Sequence, residues 1–154
     1  TVDPEGPICG CGNRGCLEAI ASAPALTGEG VRLFSAGLAP KLRDLVDGDV
    51  ARISPETMGR AALAGDANVR VAIDRAARAL GIGAANLITA LHPELVVLAG
   101  GMAAMGDLLV EPMRDEVLKR VRMFPADTVR IECSRLGSHA GIWGGVALAQ
   151  SNGR

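Results

Sequence analysis

Apolar residues recur at Val69, Ile73, Ala76, Leu80, Ala84, Leu87, Ile88 and Leu91, a three-four spacing that predicts one long helix. Asp66 stands before it as a cap and His92-Pro93 ends it. Asp74 and Arg78, one turn apart on its polar side, are expected to pair. Gly81 and Gly83 interrupt a run otherwise rich in alanine. Each costs up to about 1 kcal/mol relative to Ala, so a close neighbour is expected there, a packed helix in preference to a bound ligand.

The same reading extends in both directions. Cys16 to Ser22 begins a helical pattern, and Ser22-Ala23-Pro24 offers a cap with proline in the first turn of a helix reaching about Ser35. Gly37, Pro40 and Gly48 punctuate a stretch expected to be irregular or briefly helical, on the surface or at a substrate rim. Ser54-Pro55-Glu56 starts another helix, to about Ala64, which Gly65 stops. Glu94 to Ala99 reads as a buried strand running into Gly100-Gly101. Asp107 is expected to cap a helix carrying Leu108, Leu109, Met113, Val117 and Val121 on one side. From Thr128 to Ser134, Val129, Ile131 and Cys133 alternate with Arg130 and Glu132, a half-exposed strand in which Cys133 is a small core residue. Ala140 to Ala149 closes the pattern as a helix of small residues. Long helices alternating with single strands define an α/β layered fold. Two strands are too few for a complete sheet, so a further segment is expected to complete it.

Composition narrows this picture. Of 154 residues, 49% are hydrophobic and only 2% aromatic, so the core must be built from Ala, Val, Leu and Ile. A formal net charge of −1 and scattered arginines give no footprint for nucleic acid or membrane. The longest apolar stretch, Leu95 to Met105, contains glycines and is too short to span a bilayer. The chain opens on Thr1 and a polar, turn-rich segment without a secretory leader pattern, which reads as the interior of a longer protein.

Cysteine placement carries the chemistry. Cys9, Cys11 and Cys16 fall within eight residues among Gly10, Gly12 and Gly15. A disulfide framework spreads its cysteines, and a Cys-x-Cys bridge closes a small strained ring. Clustered thiolates in a glycine-rich loop suit a metal better, zinc above all, and imply a reducing cytoplasm. Zinc takes four ligands. The only histidines, His92 at a helix end and His139 in a late loop, each have a plain structural role, and neither is assigned as the fourth.

The string CGCGNRGCLE, residues 9–18, resembles the signature of the ROK family of sugar kinases and sugar-responsive repressors, with every fixed position satisfied. Further matches lie at Ala79 to Gly83, Ala85 to Ile88, His92 to Leu98, and at Gly137, Ala140, Gly141, Gly144 and Gly145. The resemblance implies an α/β, actin-like or hexokinase-like ATPase fold of two lobes. This chain would be the C-terminal lobe only, with residues 1–139 as its body and 140–154 as a final helix packing on the other lobe. It implies Zn2+ held by Cys9, Cys11 and Cys16, with a histidine just upstream of Thr1 as fourth ligand. It also implies that Glu18 accepts hydrogen bonds from sugar hydroxyls, and that a nucleotide lies beside Gly100 and Gly101. The family usually has a third glycine where this chain has Ala99.

A hexose is a ring of hydroxyl donors, and a carboxylate fixed two residues past a metal ligand suits it. Without the resemblance, Glu18 reads as an ordinary first-turn glutamate facing the helix dipole. The main expectation is a glucokinase-like enzyme that phosphorylates a hexose or amino-hexose with ATP and Mg2+. Its phosphate turn and catalytic aspartate would lie outside these residues, so no catalytic residue is assigned here. The alternative is the effector domain of a sugar-responsive repressor, with DNA bound through another domain. Ala99 and Ser138-His139 lean toward the repressor, and the resemblance across Leu26 to Gly65 leans toward the enzyme. A zinc-stabilised interaction module is the third possibility. A homodimer is the expected assembly.

Overall fold

In a computed structural model of the chain, which describes residues 1–151, a loop of turns leads into five helices. These are α1 (Leu17–Ala21), α2 (Ala23–Ser35), α3 (Pro40–Leu45), α4 (Pro55–Leu63) and α5 (Ala67–Leu91). Then come β1 (Leu95–Leu98), α6 (Asp107–Arg120), β2 (Arg130–Cys133) and α7 (Ala140–Ser151). Short 3-10 turns at Val50–Arg52, Gly101–Met105, Ala126–Thr128 and Gly137–His139 join them.

Local chemistry explains the helix starts. The Ser22 hydroxyl accepts from the Ala25 N–H at 3.2 Å, with Pro24 in the first turn of α2. At α4, Ser54 and Thr57 form a reciprocal capping box, Thr57 N–H to Ser54 Oγ at 3.2 Å and Ser54 N–H to Thr57 Oγ1 at 2.8 Å. Replacing Ser54 by Ala is expected to lower stability by about 1 kcal/mol in thermal or urea unfolding, without altering the far-UV spectrum.

Asp66 does more than cap α5. Buried at 3% exposure, its carboxylate accepts from Val69 N–H at 3.4 Å and from Lys41 and Leu42 N–H at 3.1 and 3.3 Å. One side chain therefore ties the starts of α3 and α5 together. The stretch after Gly37 is briefly helical, one of its two readings, and mostly exposed, but it anchors in the core through the fully buried Leu42 and Val46, which its punctuation does not predict.

Three other expectations are corrected. Asp74 takes its ion pair from Arg70, one turn earlier, at 2.9 Å, and not from Arg78. Asp107 is the first residue of α6, and the cap position is Gly106 at φ 54°, ψ −129°, without a side-chain cap. β1 is not fully buried: Leu95 and Val97 are 38% and 52% exposed. The reason is that α6 covers one face only. Val96 and Leu98 pack on the cluster of Ile88, Val110, Met113, Val117 and Ile131. Among the described residues nothing covers the face of Leu95 and Val97.

β1 and β2 pair in parallel, Leu95 opposite Arg130 through Leu98 opposite Cys133, the only sheet among the described residues. Cys133 is half-buried against the same cluster, as its alternation predicts. A second, larger core joins α1 to α5 and the 3-10 turn after β1, around Leu42, Met58, Val69, Ile73 and Leu109. α5 is the common wall of both cores. At Gly81 it meets α6 backbone to backbone: a Cβ there would lie 2.6 Å from Glu116 Cβ and 2.8 Å from the Met113 carbonyl oxygen. At Gly83 it meets Leu17 of α1. Both glycines are packing residues. α7 stands apart, with no buried residue, and Ile142, Trp143, Val146 and Leu148 all exposed. Residues 152–154, the end of the expected last segment, lie outside the described residues.

Candidate metal centre and sugar-binding wall

The cysteine loop is folded by its backbone. Gly12 N–H donates to Cys9 O at 2.9 Å and Cys9 N–H to Asn13 O at 2.8 Å, so the chain reverses between the first and last thiols. Ile8 and Arg14 form an antiparallel bridge across that turn. Gly15 lies under the N-terminal strand of chain: its carbonyl accepts from Val2 and Asp3 N–H at 2.8 and 3.3 Å, and its N–H donates to Pro7 O at 2.8 Å. Its φ of +65° and the pressing Asp3 carbonyl leave no room for a side chain. Arg14 Nη1 closes the base on Gly6 O at 3.0 Å.

This turn brings the three predicted thiols together. The Sγ atoms of Cys9, Cys11 and Cys16 all lie within 4.8 Å of one another, and those of Cys11 and Cys16 are 3.6 Å apart. Tetrahedral thiolates about 2.3 Å from a zinc ion sit roughly 3.8 Å from each other, so the donor set fits in number, type and spacing. All four cysteines are free, and Cys133 is outside the cluster. Crowding splits the acidities. The Asn13 backbone N–H, then the neighbouring Cys9 and Cys16 thiols, draw the Cys11 thiol below its usual value. Cys16, hydrogen-bonded to Cys11, is pushed up to about 11. Neither His92 nor His139 joins the cluster: His92 caps α5 at φ 49° with its ring 4.0 Å from that of Phe124, and His139 sits in the 3-10 turn before α7.

Cys16 is also the N-cap of α1, so the third thiol and the helix start are one residue. Glu18, in the first turn of α1, is exposed. It lines an open cavity of about 530 Å³ with Ile8, Cys9, Cys11, Ser22 and Pro24. The Glu18 carboxylate and the thiol loop therefore face one space large enough for a monosaccharide. A second cavity, of about 270 Å³, is lined by Ser22, Leu98, Ala99, Gly101 and Met102. Ser22 borders both. Gly100, at φ +88°, and Gly101 lead from β1 into the 3-10 turn, and no atom lies within 4 Å of a Cβ built on Gly100. Sequence reasoning placed Glu18 and the glycine pair separately. It missed Ser22 as their common border, because its capping role accounts for it fully.

Fold and site define the class: a mixed α/β unit with a thiol loop at the head of a short helix beside an open cavity. The pattern of the ROK family matches residues 1–152, and the chain belongs to that family. It is 33% identical to a glucokinase of Thermotoga maritima over 150 residues, 96% of this chain and 46% of that protein. It is 32% identical to a xylose repressor of Caldicellulosiruptor bescii over 152 residues, 99% of this chain and 38% of that protein. Among solved structures it resembles a ROK glucokinase from Streptomyces griseus in complex with glucose and AMPPNP, with a TM-score of 0.83 and 30% identity over 97% of this chain and 49% of that one. The chain thus spans less than half the length of these relatives. No described helix is long and apolar enough to cross a membrane.

Proposed function

We propose that this chain is the sugar- and nucleotide-binding C-terminal lobe of a ROK protein with the actin-like, two-lobed architecture, and that the whole protein is an ATP-dependent hexose kinase. The observation that carries the reading is the shared cavity of the thiol loop and Glu18. Cys9, Cys11 and Cys16 hold Zn2+, with a fourth ligand from outside this chain. The metal's contribution is rigidity: bound to the thiolates, it fixes the loop and the start of α1. Glu18 then presents its carboxylate in one direction and accepts from two hydroxyls of a hexose or amino-hexose. Across Ser22, the backbone at Gly100 and Gly101 allows a nucleotide phosphate to approach closely. ATP with Mg2+ supplies the phosphoryl group. Phosphoryl transfer also needs a positioned, activated hydroxyl. No residue of this chain is assigned as its base, and the chain alone is expected to be catalytically inactive.

The likeness over nearly the whole chain to a xylose repressor supports a second reading, in which the same sugar site senses an inducer and a separate domain binds DNA. In either case α7 packs on the other lobe through its exposed apolar side, the resting thiols are reduced in a cytoplasm, and a homodimer is the expected assembly.

Coupled measurement of ADP release over a hexose panel, on the protein extended to the length of its relatives, separates the readings. Saturable turnover supports the kinase. Sugar-dependent thermal stabilisation without turnover supports the sensor and overturns the kinase. In either, Glu18→Ala is expected to weaken sugar binding by about tenfold to a hundredfold while leaving zinc content unchanged, the loss of a hydrogen-bonded charge. Wild-type affinity in that variant would refute the assignment of Glu18.

A further inference from the structure

Two of the three clustered thiols touch. Cys11 and Cys16 Sγ lie 3.6 Å apart, and a disulfide needs about 2.05 Å, so closure is a small movement. The loop provides for that movement on one side only. Gly15 is pinned under the Asp3 carbonyl and Cys16 stands at the N-cap of α1, which fixes the Cys16 backbone. Gly10 and Gly12, flanking Cys11, have nothing within 4 Å of where a side chain would stand, and Cys11 itself is exposed. Cys9, in contrast, is buried at 7% exposure. Of the three possible pairs, Cys9–Cys11 closes a Cys-x-Cys ring and Cys9–Cys16 requires the buried Cys9 to take part. Cys11–Cys16 requires neither.

We propose that Cys11 and Cys16 are an oxidative modification site, a thiol pair that a hydroperoxide converts to a disulfide and that thereby switches the sugar-binding wall off. The proposal rests on the functional reading above for its consequence, though not for its chemistry. The exposed Cys11 thiolate attacks the peroxide O–O bond and becomes a sulfenic acid as the alcohol or water leaves. The Cys16 thiol then displaces the hydroxyl: the S–S bond forms, the S–O bond breaks and water departs. Two thiols and one hydroperoxide thus give one disulfide, one alcohol or water and a further water. Two electrons pass from sulfur to the O–O bond. The neighbouring Cys16 sulfur intercepts the sulfenic acid before a second peroxide can take it to the irreversible sulfinic acid. The disulfide removes two of the three thiolates from the ligand set. What remains cannot hold a tetrahedral ion, so the start of α1 and the Glu18 carboxylate lose their anchor.

The test is a hydrogen peroxide titration of the purified, full-length protein, read by peptide mass mapping, by colorimetric zinc release and by glucose binding. The expected result is a Cys11–Cys16 disulfide that dithiothreitol reverses, with zinc released in step and glucose affinity reduced by about tenfold or more. Cys133→Ser is expected to behave like wild type. Cys16→Ser is expected to accumulate sulfinic acid at Cys11. A zinc-loaded protein whose loop thiols stay reduced under peroxide that oxidises free cysteine overturns the proposal and leaves the metal reading standing. So does one that goes directly to sulfinic acid or links Cys9 in place of Cys11. A preparation without zinc that still forms the Cys11–Cys16 bridge supports the thiol chemistry and counts against the metal reading.

Discussion

Gly15→Ala is expected to dismantle the cysteine loop while sparing the helical body. Two costs add. At φ +65° an L side chain costs roughly 1–2 kcal/mol against glycine. The new Cβ would also overlap the Asp3 carbonyl oxygen and carbon, which are backbone and cannot swing aside as a side-chain end could. To relieve the overlap, the segment of Val2 and Asp3 must lift off. That breaks the hydrogen bonds from their N–H groups to Gly15 O, at 2.8 and 3.3 Å, each worth about 1 kcal/mol. The total is on the order of 3–4 kcal/mol, taken locally. Zinc content and sugar-induced stabilisation should both be lost, and the far-UV spectrum should change little, because, of the lifted segment, only the partly buried Val2 packs on the helical core. Gly12→Ala is the control. Its φ is also positive, at +87°, but nothing lies within 4 Å of the added methyl. It should cost only the backbone term and keep its metal. Equal zinc loss in both variants would refute the role given to the Asp3 contact.

The contrast between those glycines shows where sequence reading reaches and where it stops. The loop's glycines were legible as turn formers, but which of them is pinned depends on Asp3, twelve positions earlier and with no local signal. The helices read well. Ser22, Ser54 and Asp66 each mark a start, because capping is chemistry between residues three apart. The part of Asp66 that reaches Lys41 and Leu42, across 25 and 24 positions, could not be read that way. For the same reason the α3 segment did not show its anchor in the core. Its punctuation was visible, while the buried carboxylate organising it was not. β1 misled for a different reason. A run of Val and Leu reports how apolar a strand is, not whether both of its faces are covered. In the site, the three thiols converged as their spacing implied. Glu18 joined them because Cys16 is both the last thiol and the cap of its helix. The adjacency of the two cavities across Ser22 was invisible, since Ser22 already had a complete explanation as a cap.

Gly81→Val is expected to separate the two halves of the core. A glycine inside a helix normally gains up to about 1 kcal/mol on becoming alanine. Gly28, in α2 with nothing within 4 Å of an added Cβ, should behave in that way. At Gly81 the sign reverses. The first added carbon would sit 2.6 Å from Glu116 Cβ and 2.8 Å from the Met113 carbonyl oxygen. Those atoms belong to the body of α6, so α5 and α6 would have to move apart along the contact that fixes both strands. Valine adds two methyls to that crowding and lacks alanine's helix propensity. The loss should be about 3 kcal/mol, at the upper end of overpacking costs. The displacement would be felt first at Met113, Val117 and Ile131, in the cluster that seats β1 and β2, and less at Val69 and Ile73 in the other. Hydrogen exchange should therefore speed up most in β1, β2 and α6, while the thiol loop keeps its zinc. A Gly81→Val protein as stable as wild type would mean that α6 has freedom the packing denies. Stability lost together with zinc would mean that the loop and the helical body unfold as one unit.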